Sequence, residues 1–325
     1  MLKHKKHKKN KKKFSVFFYA AAGLIAVCLA VGFFLFFQKQ PASIYVYPQN
    51  PKQGDTVFIR VKSQASEITG NFGQERLIFY KKENSQDRVS FLGIDAGQKP
   101  GAYKIFADTS KAEHLTKEIK VALADFSLAP AVAAPNLKQT GYTNKKAVDN
   151  ITKNDNPALK KILSKLTPVP YFKDSFSFPL KKIEKTGFSF GKFIGFAKDK
   201  LQHLGVDLKA PKKTEIYAVN DGKVVATLNL SNYGKTVIID HGLDIFSLYL
   251  HLEEFKISEG KMVKSGQLIG LSGDTGYVTA PHLHFSMRIG SSRVDPIVFI
   301  QTTKKINDNF MFADISAAIL SIFNR

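Results

Sequence analysis

Two short segments, His203-Leu-Gly-Val-Asp207 and Pro281-His-Leu-His284-Phe285, bound the part of the chain where chemically distinctive side chains concentrate. The 325-residue chain has eight histidines, and four of them are His203, His251, His282 and His284. Short apolar runs of strand type lie between them. Because alternate side chains of a strand point to one face, His282 and His284 share a face, and so do His203 and Asp207. Two such strands side by side would bring several imidazoles and a carboxylate together.

This convergence predicts a metal site. Imidazole and carboxylate ligands without a thiolate suit zinc, and a catalytic zinc keeps three protein ligands with water in the fourth position. Four histidines and one aspartate exceed three ligands, so some of them remain free to act on a substrate. The spacing does not decide which of His282 and His284 is the ligand. One His-x-His pair alone is more often chance packing, but His-x-x-x-Asp and Tyr249-Leu-His251-Leu accompany it here.

Five motifs follow one another in the region 176–300. They are His203-Leu-Gly-Val-Asp207-Leu, Asp240-His-Gly with Leu248-Tyr-Leu-His251-Leu, Gly273-Asp-Thr-Gly276, Pro281-His-Leu-His284-Phe, and Val294-Asp-Pro296. Together they resemble the lysostaphin/LytM-type zinc metallopeptidases of the M23 family.

The resemblance assigns roles to individual residues. It implies that His203, Asp207 and His284 bind one Zn²⁺ per chain, and that His251 and His282 are catalytic. It also implies a zinc metalloendopeptidase that cleaves the peptide cross-links of peptidoglycan. His241 is similar to a histidine often found before glycine in this family, and we interpret it as a structural residue or one that supports the ligands.

Two alternatives remain beside the endopeptidase: a D,D-carboxypeptidase acting on stem peptides, and a non-catalytic wall-binding activator of another hydrolase. A non-catalytic member is expected to have lost ligands, whereas all five positions are present here, which favours the enzyme. One departure concerns the segment before the first zinc histidine, where some relatives carry a tyrosine. This chain has Gly187-Phe-Ser-Phe-Gly191-Lys-Phe-Ile-Gly195 there, which leaves the cleaved bond open.

The amino terminus has the pattern of a membrane anchor. The formal net charge is +21, and residues 1–13 hold eight lysines and no acidic residue. Residues 14–37 lack charged side chains and are long enough, as a helix, to cross a hydrocarbon core of roughly 30 Å. The lysines predict a single-pass protein of the cytoplasmic membrane with 1–13 inside and the catalytic domain in the periplasm or cell-wall space. A cleaved signal peptide is the alternative, but it would have a shorter apolar core and a small-residue cleavage site.

Composition also excludes two classes of function. The single cysteine, Cys28, lies inside the predicted span, so the exported part has no disulfide and no cysteine nucleophile. The lysine-rich tail could indicate nucleic-acid binding, but beside a membrane span it acts as an orientation signal that also suits anionic lipid. We therefore expect peptidoglycan and the cytoplasmic membrane as partners, and no nucleic acid.

Residues 43–126 predict a small antiparallel β-sandwich. Period-two patterns such as Asp55-Thr-Val57-Phe-Ile59-Arg-Val61 recur between glycine-containing turns. Gln53-Gly-Asp55 and Pro100-Gly-Ala-Tyr103 resemble the Ig-like domain that precedes the peptidase in some envelope members of the family. The resemblance implies a spacer, or a recognition surface for envelope protein partners.

Residues 127–175 have the composition of a linker, rich first in Ala and Pro and then in Asn, Lys and Thr. Asn156-Pro157 predicts a short amphipathic helix with Asn156 as its cap, ended by Pro168. Its apolar stripe consists of Leu159, Ile162, Leu163 and Leu166. We expect this stripe to dock on a neighbouring domain.

Residues 176–300 predict the peptidase domain, an antiparallel β fold with a groove. Strand-like runs recur at 214–218, 223–228, 235–240, 245–250, 267–271 and 283–289, and helical periodicity is sparse. Residues 301–325 predict a helical C-terminal tail. The fold class is therefore mainly β: an anchor helix, an Ig-like sandwich, a helical linker and an antiparallel β peptidase domain with a zinc groove.

Overall fold

The computed structural model describes residues 41–81, 85, 87–130, 143–185, 189–196 and 199–306. The predicted basic tail at 1–13, the predicted span at 14–37 and residues 307–325 of the predicted tail lie outside these ranges. Within them, no helix is both long enough and apolar enough to cross a membrane. From Ser43 onward the described residues belong to one compact unit.

The first part of this unit is a sandwich of two four-stranded antiparallel sheets. Its strands are β1 Ser43–Tyr47, β2 Thr56–Lys62, β3 Ile68–Phe72, β4 Glu75–Leu77, β5 Tyr80–Lys81, β6 Arg88–Gly93, β7 Gly101–Thr109 and β8 His114–Val121. The sheet orders are β1-β2-β6-β5 and β4-β3-β7-β8. In β7, Ile105, Ala107 and Thr109 are buried while their neighbours are exposed, which is the period-two pattern of a half-buried strand. The sandwich agrees with the predicted architecture, and its relation to Ig-like domains stays a prediction.

The predicted linker contains more regular structure than its composition indicates. It includes a short strand, β9 Leu128–Pro130, then helix α1 Asn144–Asn150, a π-helical segment Ile151–Asp155 and helix α2 Asn156–Leu163. The Thr143 hydroxyl caps α1 by accepting a hydrogen bond from the Lys146 backbone N–H at 3.2 Å.

Asn156 is not a helix cap, contrary to the prediction, because α1 runs through the π-helical segment directly into α2. Proline lacks an N–H and its ring clashes with the carbonyl four residues earlier in an α-helix. The chain avoids that clash at Pro157 by widening one turn, in which the Asn156 N–H bonds to the Ile151 carbonyl five residues back. The helix ends at Leu163, so the predicted stripe is also shorter than expected and Leu166 is 51% exposed.

The second part of the unit is built on a nine-stranded sheet. Its strands are β12 Val206–Leu208, β13 Glu215–Tyr217, β14 Gly222–Leu230, β15 Gly234–Asp240, β16 Ile245–Phe255, β17 Met262–Val263, β18 Leu268–Ser272, β19 Leu283–Ile289 and β20 Ser292–Val294. Six of these strands are hydrogen-bonded side by side in the order β12-β19-β16-β15-β14-β17. Every pairing in this sheet is antiparallel. Each of the six predicted strand-like runs of this domain contains or overlaps one of these strands.

Helix α2 packs on one face of this sheet. Leu250 pairs with His284 across β16 and β19, so these two side chains share a face. On that face, α2 packs Leu159 against Phe246, Leu248 and Leu250. The amphipathic helix therefore docks on the peptidase sheet, on the face that carries His284.

A third, smaller sheet joins the linker to the segment before His203. Strand β10 Phe193–Phe196 pairs antiparallel with β11 Asp199–Gln202, and β9 adds to β10 in parallel. Beside it, the Phe126 and Phe190 rings meet edge to face at 6.2 Å. Gly191 is required here, since a Cβ at this position would lie 2.0 Å from the Phe126 ring.

The sandwich and the peptidase sheet share a core. Phe91 of β6 contacts the rings of Phe172 and Phe299, with centroids 6.3 and 6.4 Å apart. At the edge of this contact, the Arg293 guanidinium donates two hydrogen bonds to the Asp95 carboxylate, at 2.9 and 2.8 Å. These aromatic and ionic contacts join the two parts into one packed body.

A final helix, α3 at residues 296–306, closes the described chain. The Asp295 carboxylate accepts from the Ile297 and Val298 backbone N–H groups at 2.8 and 3.4 Å, and Pro296 occupies the first helical position, where its missing N–H is harmless. The Val294-Asp-Pro296 motif is therefore a helix start. Its Asp295 N–H also donates to the Gly54 carbonyl of the sandwich at 2.8 Å.

Candidate metal and catalytic site

Two neighbouring strands bring the first pair of predicted ligands together. Asp207 on β12 and His284 on β19 are direct cross-strand partners, so their side chains lie on the same face. His284 Nδ1 is 3.0 Å from Asp207 Oδ1. The strand register, as the sequence predicts, delivers one imidazole and one carboxylate to a single point.

His203 reaches the same point by another route. The prediction that His203 and Asp207 lie on one strand is wrong: His203 follows the end of β11, and a bend at Gly205 separates it from β12. The bend needs glycine, because a Cβ at Gly205 would lie 2.4 Å from both His284 Nε2 and Ser286 Oγ. His203 Nε2 nevertheless lies 3.0 Å from Asp207 Oδ1 and 2.9 Å from His284 Nδ1.

Hydrogen bonds on the far side of each ring decide which nitrogen faces this point. His203 Nδ1 lies 3.1 Å from the Ser189 carbonyl, which can only accept, so Nδ1 carries the hydrogen. Ser286 Oγ donates to the Leu204 carbonyl and so accepts from His284 Nε2, both at 3.0 Å. In the neutral rings, His203 Nε2 and His284 Nδ1 are therefore lone-pair acceptors.

Three acceptor atoms thus converge with no hydrogen between them, an arrangement that requires a cation or a proton. The three residues form a group of potential metal ligands. Tetrahedral zinc holds nitrogen ligands about 2.0–2.1 Å away, which puts ligand atoms about 3.3 Å from one another. The observed separations of 2.9–3.0 Å are close to that value, so His203, Asp207 and His284 fit zinc.

His251 lies beside this group because the strand that carries it is irregular. The register between β15 and β16 shifts between Lys235 and Val237, and His251 has a φ of +63°. A bulge of this kind re-aims a side chain, and a positive φ is costly for a residue other than glycine. The His251 ring is buried, its Nδ1 lies 2.9 Å from the Thr275 carbonyl, and its centroid is 6.0 Å from that of His284.

His282 completes the cluster from the loop before β19. Its backbone N–H bonds to the Gly273 carbonyl at 3.3 Å, and its Nδ1 lies 2.8 Å from the Ala280 carbonyl. That leaves Nε2 facing Asp207 Oδ1 at 3.5 Å, while the ring centroid lies 5.0 Å from that of His251. All five predicted site residues are therefore brought together.

Burial and mutual charge set the protonation of these groups. Burial lowers the pKa of His284 to about 4, and burial together with His282 and His284 holds the pKa of His251 well below its usual range. Burial alone would raise the pKa of Asp207, but the three imidazoles in contact with its carboxylate hold that pKa well below its usual value. For His282, the hydrogen bond and charge of Asp207 outweigh burial and raise the pKa.

His241 lies outside this cluster. Its ring is fully buried, with Nδ1 2.8 Å from the Asp221 carbonyl, Nε2 2.7 Å from Ser247 Oγ and an edge-to-face contact with Phe176. Burial lowers its pKa to about 4. These contacts are structural, in agreement with the interpretation of the sequence.

The sequence interpretation did not single out the residues that orient the rings. Ser286 is two residues after His284 on the same strand, so the period-two pattern could have identified it. Thr275 lies within the recognised Gly273-Asp-Thr-Gly276 motif, but no role was assigned to it. The carbonyls of Ser189 and Ala280 carry no sequence signal, because any residue supplies one.

Part of the chain is similar in sequence to known peptidases. Residues 201–296 match the model of peptidase family M23. The chain is similar to the peptidoglycan DD-endopeptidase ShyA of Vibrio cholerae, at 45% identity over 85 residues that cover 26% of this chain and 20% of that protein. It is also similar to the DD-carboxypeptidase/endopeptidase Mpg of Neisseria meningitidis, at 39% identity over 95 residues, 29% of this chain and 22% of that protein. The chain therefore spans about a fifth of the length of these curated relatives.

One solved structure resembles the larger part of the chain. It is a Pseudomonas aeruginosa protein provisionally assigned to peptidase M23, with a TM-score of 0.54 and 21% identity over 78% of this chain and 95% of that one. At this level of identity the likeness concerns the fold alone.

Proposed function

We propose that the chain, whose residues 201–296 match the model of peptidase family M23, is a zinc-dependent peptidoglycan hydrolase that cleaves peptide cross-links. The observation that carries the proposal is the convergence of three lone-pair acceptors, His203 Nε2, Asp207 Oδ1 and His284 Nδ1, beside two further histidines. Such a set fits a metallopeptidase better than a binding module, which has no need for five titratable groups at one point.

His203, Asp207 and His284 would hold one zinc ion per chain. Zinc in this position would supply Lewis-acid activation of a water molecule and polarisation of the scissile carbonyl. The hydrogen bonds from the His203 ring to the Ser189 carbonyl and from the His284 ring to Ser286 Oγ fix the ligand tautomers before the metal binds.

His251 and His282 differ in their capacity to hold a proton. His251 donates Nδ1–H to the Thr275 carbonyl, which leaves Nε2 as an acceptor, and its lowered pKa keeps the ring neutral at neutral pH. Its Nε2 therefore presents a lone pair that can accept a hydrogen bond or a proton from the attacking water. His282 has a raised pKa and an Nε2 directed at the site, so it is suited to donate a proton or a hydrogen bond to the developing oxyanion or the leaving amine.

The names of the relatives support the class of substrate. ShyA is called a peptidoglycan DD-endopeptidase and Mpg a DD-carboxypeptidase/endopeptidase, so the favoured activity is endopeptidase cleavage and the second candidate is removal of a terminal residue from stem peptides. With the amino-terminal run at 14–37 as an uncleaved anchor, the catalytic domain would lie outside the cytoplasmic membrane, in the periplasm or cell-wall space. The sandwich would then offer a surface for envelope protein partners.

The test is digestion of purified peptidoglycan by the full chain, with and without a zinc chelator, followed by separation of the released muropeptides. Chelator-sensitive loss of cross-linked dimers is the expected result. Loss of only a terminal residue from monomers would make the protein a carboxypeptidase. If the folded, zinc-loaded chain releases nothing, the hydrolase proposal fails and the non-catalytic wall-binding activator takes its place.

Single substitutions separate the roles within the site. His284→Ala removes a ligand, so it should abolish both zinc retention and cleavage. His251→Gln and His282→Gln should keep zinc but lower turnover about 100-fold or more, the range for lost acid-base or oxyanion assistance. His114→Gln, which changes an exposed histidine of the sandwich that pairs with Asp108, is the matched control. Wild-type turnover in either site variant would remove the role assigned to that histidine.

A further inference from the structure

A buried carboxylate stands at the end of the π-helical segment of the linker. Asp155 is only 2% exposed, although carboxylates are almost never fully buried unless a partner satisfies them. Its Oδ2 accepts from the Asn232 backbone N–H at 2.9 Å and from the Asn232 side-chain amide at 3.3 Å. The neighbouring Asn156 accepts from the Tyr233 hydroxyl at 2.9 Å. The linker therefore holds the β14–β15 turn at residues 231–233 by polar contacts that the docked apolar stripe does not explain.

This turn is packed against the loop at residues 273–277. The Asn232 carbonyl accepts from the Tyr277 N–H at 2.8 Å. Gly276 lies so close that a Cβ would approach the Asn232 carbonyl oxygen to 2.3 Å, and a Cβ at Gly234 would approach the Thr275 carbonyl oxygen to 2.4 Å. The turn and the loop thus fit together with no room for a side chain between them, so a shift of the turn must move the loop.

His251 depends on both of these segments. Its backbone N–H donates to the Tyr233 carbonyl at 3.1 Å, and its ring Nδ1 donates to the Thr275 carbonyl at 2.9 Å. At a φ of +63° the His251 backbone is strained, and such strain persists only where the surroundings over-determine the conformation. The turn and the loop supply that restraint, and Asp155 holds the turn.

We propose that Asp155 is a positioning residue: through Asn232 it fixes the 231–234 turn against the 273–277 loop and so sets the direction of His251 Nε2. A segment that the sequence identifies as a linker therefore forms part of the catalytic assembly. The inference rests on the proposed function, in which His251 moves a proton.

The experiment compares three variants of the full chain. Asp155→Ala removes the acceptor oxygen, so both bonds from Asn232 are lost. Asp155→Asn removes the charge but keeps an amide oxygen at the position of Oδ2, where it accepts both bonds, and is the conservative variant. Asp149→Asn changes an exposed carboxylate of α1 that pairs with Lys153 and is the control.

We expect Asp155→Ala to lower kcat about tenfold or more with KM and bound zinc unchanged, and Asp155→Asn to keep most of the wild-type kcat. Amide exchange of His251 and Tyr277, measured by NMR, should accelerate about tenfold in Asp155→Ala and remain slow in Asp155→Asn and in the control. A loss of kcat that follows only the unfolded fraction, or wild-type kcat and exchange in Asp155→Ala, would overturn the proposal. If Asp155→Ala does not fold, Asn232→Ala, which removes the side-chain bond alone, decides: lowered kcat with faster exchange at His251 and Tyr277 supports the proposal, and wild-type values overturn it.

The two proposals fail in different ways. A wild-type chain without hydrolase activity would end the proposed function, while amide exchange at His251 and Tyr277 would still report whether Asp155 holds the turn. Active wild-type enzyme with an unaffected Asp155→Ala variant would end the positioning role alone.

Discussion

In each metal-facing imidazole, the hydrogen bond of the outer ring nitrogen determines whether the inner ring nitrogen has a free lone pair for a metal. Ser286 Oγ takes the hydrogen of His284 Nε2 and passes its own hydrogen to the Leu204 carbonyl. Without this acceptor the His284 ring could place its hydrogen on Nδ1, the atom that must be bare to bind a cation.

Ser286→Ala should therefore weaken zinc binding about 10- to 100-fold, the usual effect of losing a partner that orients a ligand. Competition with a chelator of known affinity measures it directly. Ser258→Ala, at an exposed serine of the same sheet domain, should leave zinc affinity unchanged. Equal affinity in Ser286→Ala and wild type would show that the ring orientation is set by packing instead.

His241 predicts a pH dependence of stability that is independent of catalysis. Burial lowers its pKa to about 4, whereas the unfolded chain titrates near the ordinary value of about 6.5. Below pH 6.5 the unfolded chain binds more protons, so stability present above pH 6.5 is lost as the pH falls toward 4, by about 3 kcal/mol at most. We expect the stability advantage of wild type over His241→Gln to shrink accordingly between pH 7.5 and 4.5.

Urea unfolding of both zinc-free chains at these two pH values is the measurement. Comparison with the variant removes the contribution of the other titrating groups, which both chains share. An advantage that stays constant across this pH range would mean that His241 titrates normally in the folded protein.

Among the elements, helix α2 packs on the sheet face that carries His284 of the candidate site. Leu159 is 4% exposed and packs with Phe246, Leu248 and Leu250. Leu159→Ala should lower the free energy of unfolding by about 2–4 kcal/mol, the range for removing a buried leucine. Chemical denaturation measures it, with Leu166→Ala as the control, since Leu166 is 51% exposed. Similar losses in both variants would contradict the docking of this stripe.

The strands of the peptidase sheet were predictable because burial and alternation leave a local trace. Runs such as 235–240 and 283–289 are apolar, bounded by turn residues and long enough to stand out. Their register places Asp207 opposite His284. Alternation predicted only that imidazoles and a carboxylate converge, and the choice of His284 over His282 came from the family resemblance. The bulge that turns His251 toward the site leaves no comparable trace.

Other elements were not predictable because their causes lie far away in the chain. Strand β9 has three residues and exists through pairing with β10, a contact that no local pattern records. The π-helical turn before Pro157 depends on α1 already being helical, so the proline alone indicated a helix start. His203 was placed on a strand for a similar reason: the close approach of His284 and Ser286 that demands Gly205 is a tertiary fact.

For the whole molecule, the aromatic contact between sandwich and peptidase sheet predicts joint unfolding. Phe91 touches Phe172 and Phe299, so Phe91→Ala should lower the free energy of unfolding by about 2 kcal/mol. Hydrogen exchange read by mass spectrometry should show faster exchange in peptides from both sides of the contact. Phe106→Ala, at a 39% exposed phenylalanine on the outer sandwich sheet, is the control. Faster exchange confined to the sandwich would mean that the two parts unfold independently.

The parallel pairing of β9 with β10 has a consequence for the order in which the protein is made. During synthesis β9 and Leu159 emerge before the strands that cover them, and the two ends of the metal triad, His203 and His284, are 81 residues apart in the chain. We expect nascent chains to carry an unpaired strand edge until β10 has emerged and open apolar surface on α2 until β16 has emerged, conditions that attract chaperones and favour aggregation. The three candidate metal ligands would then come together in one step, when β19 inserts between β12 and β16.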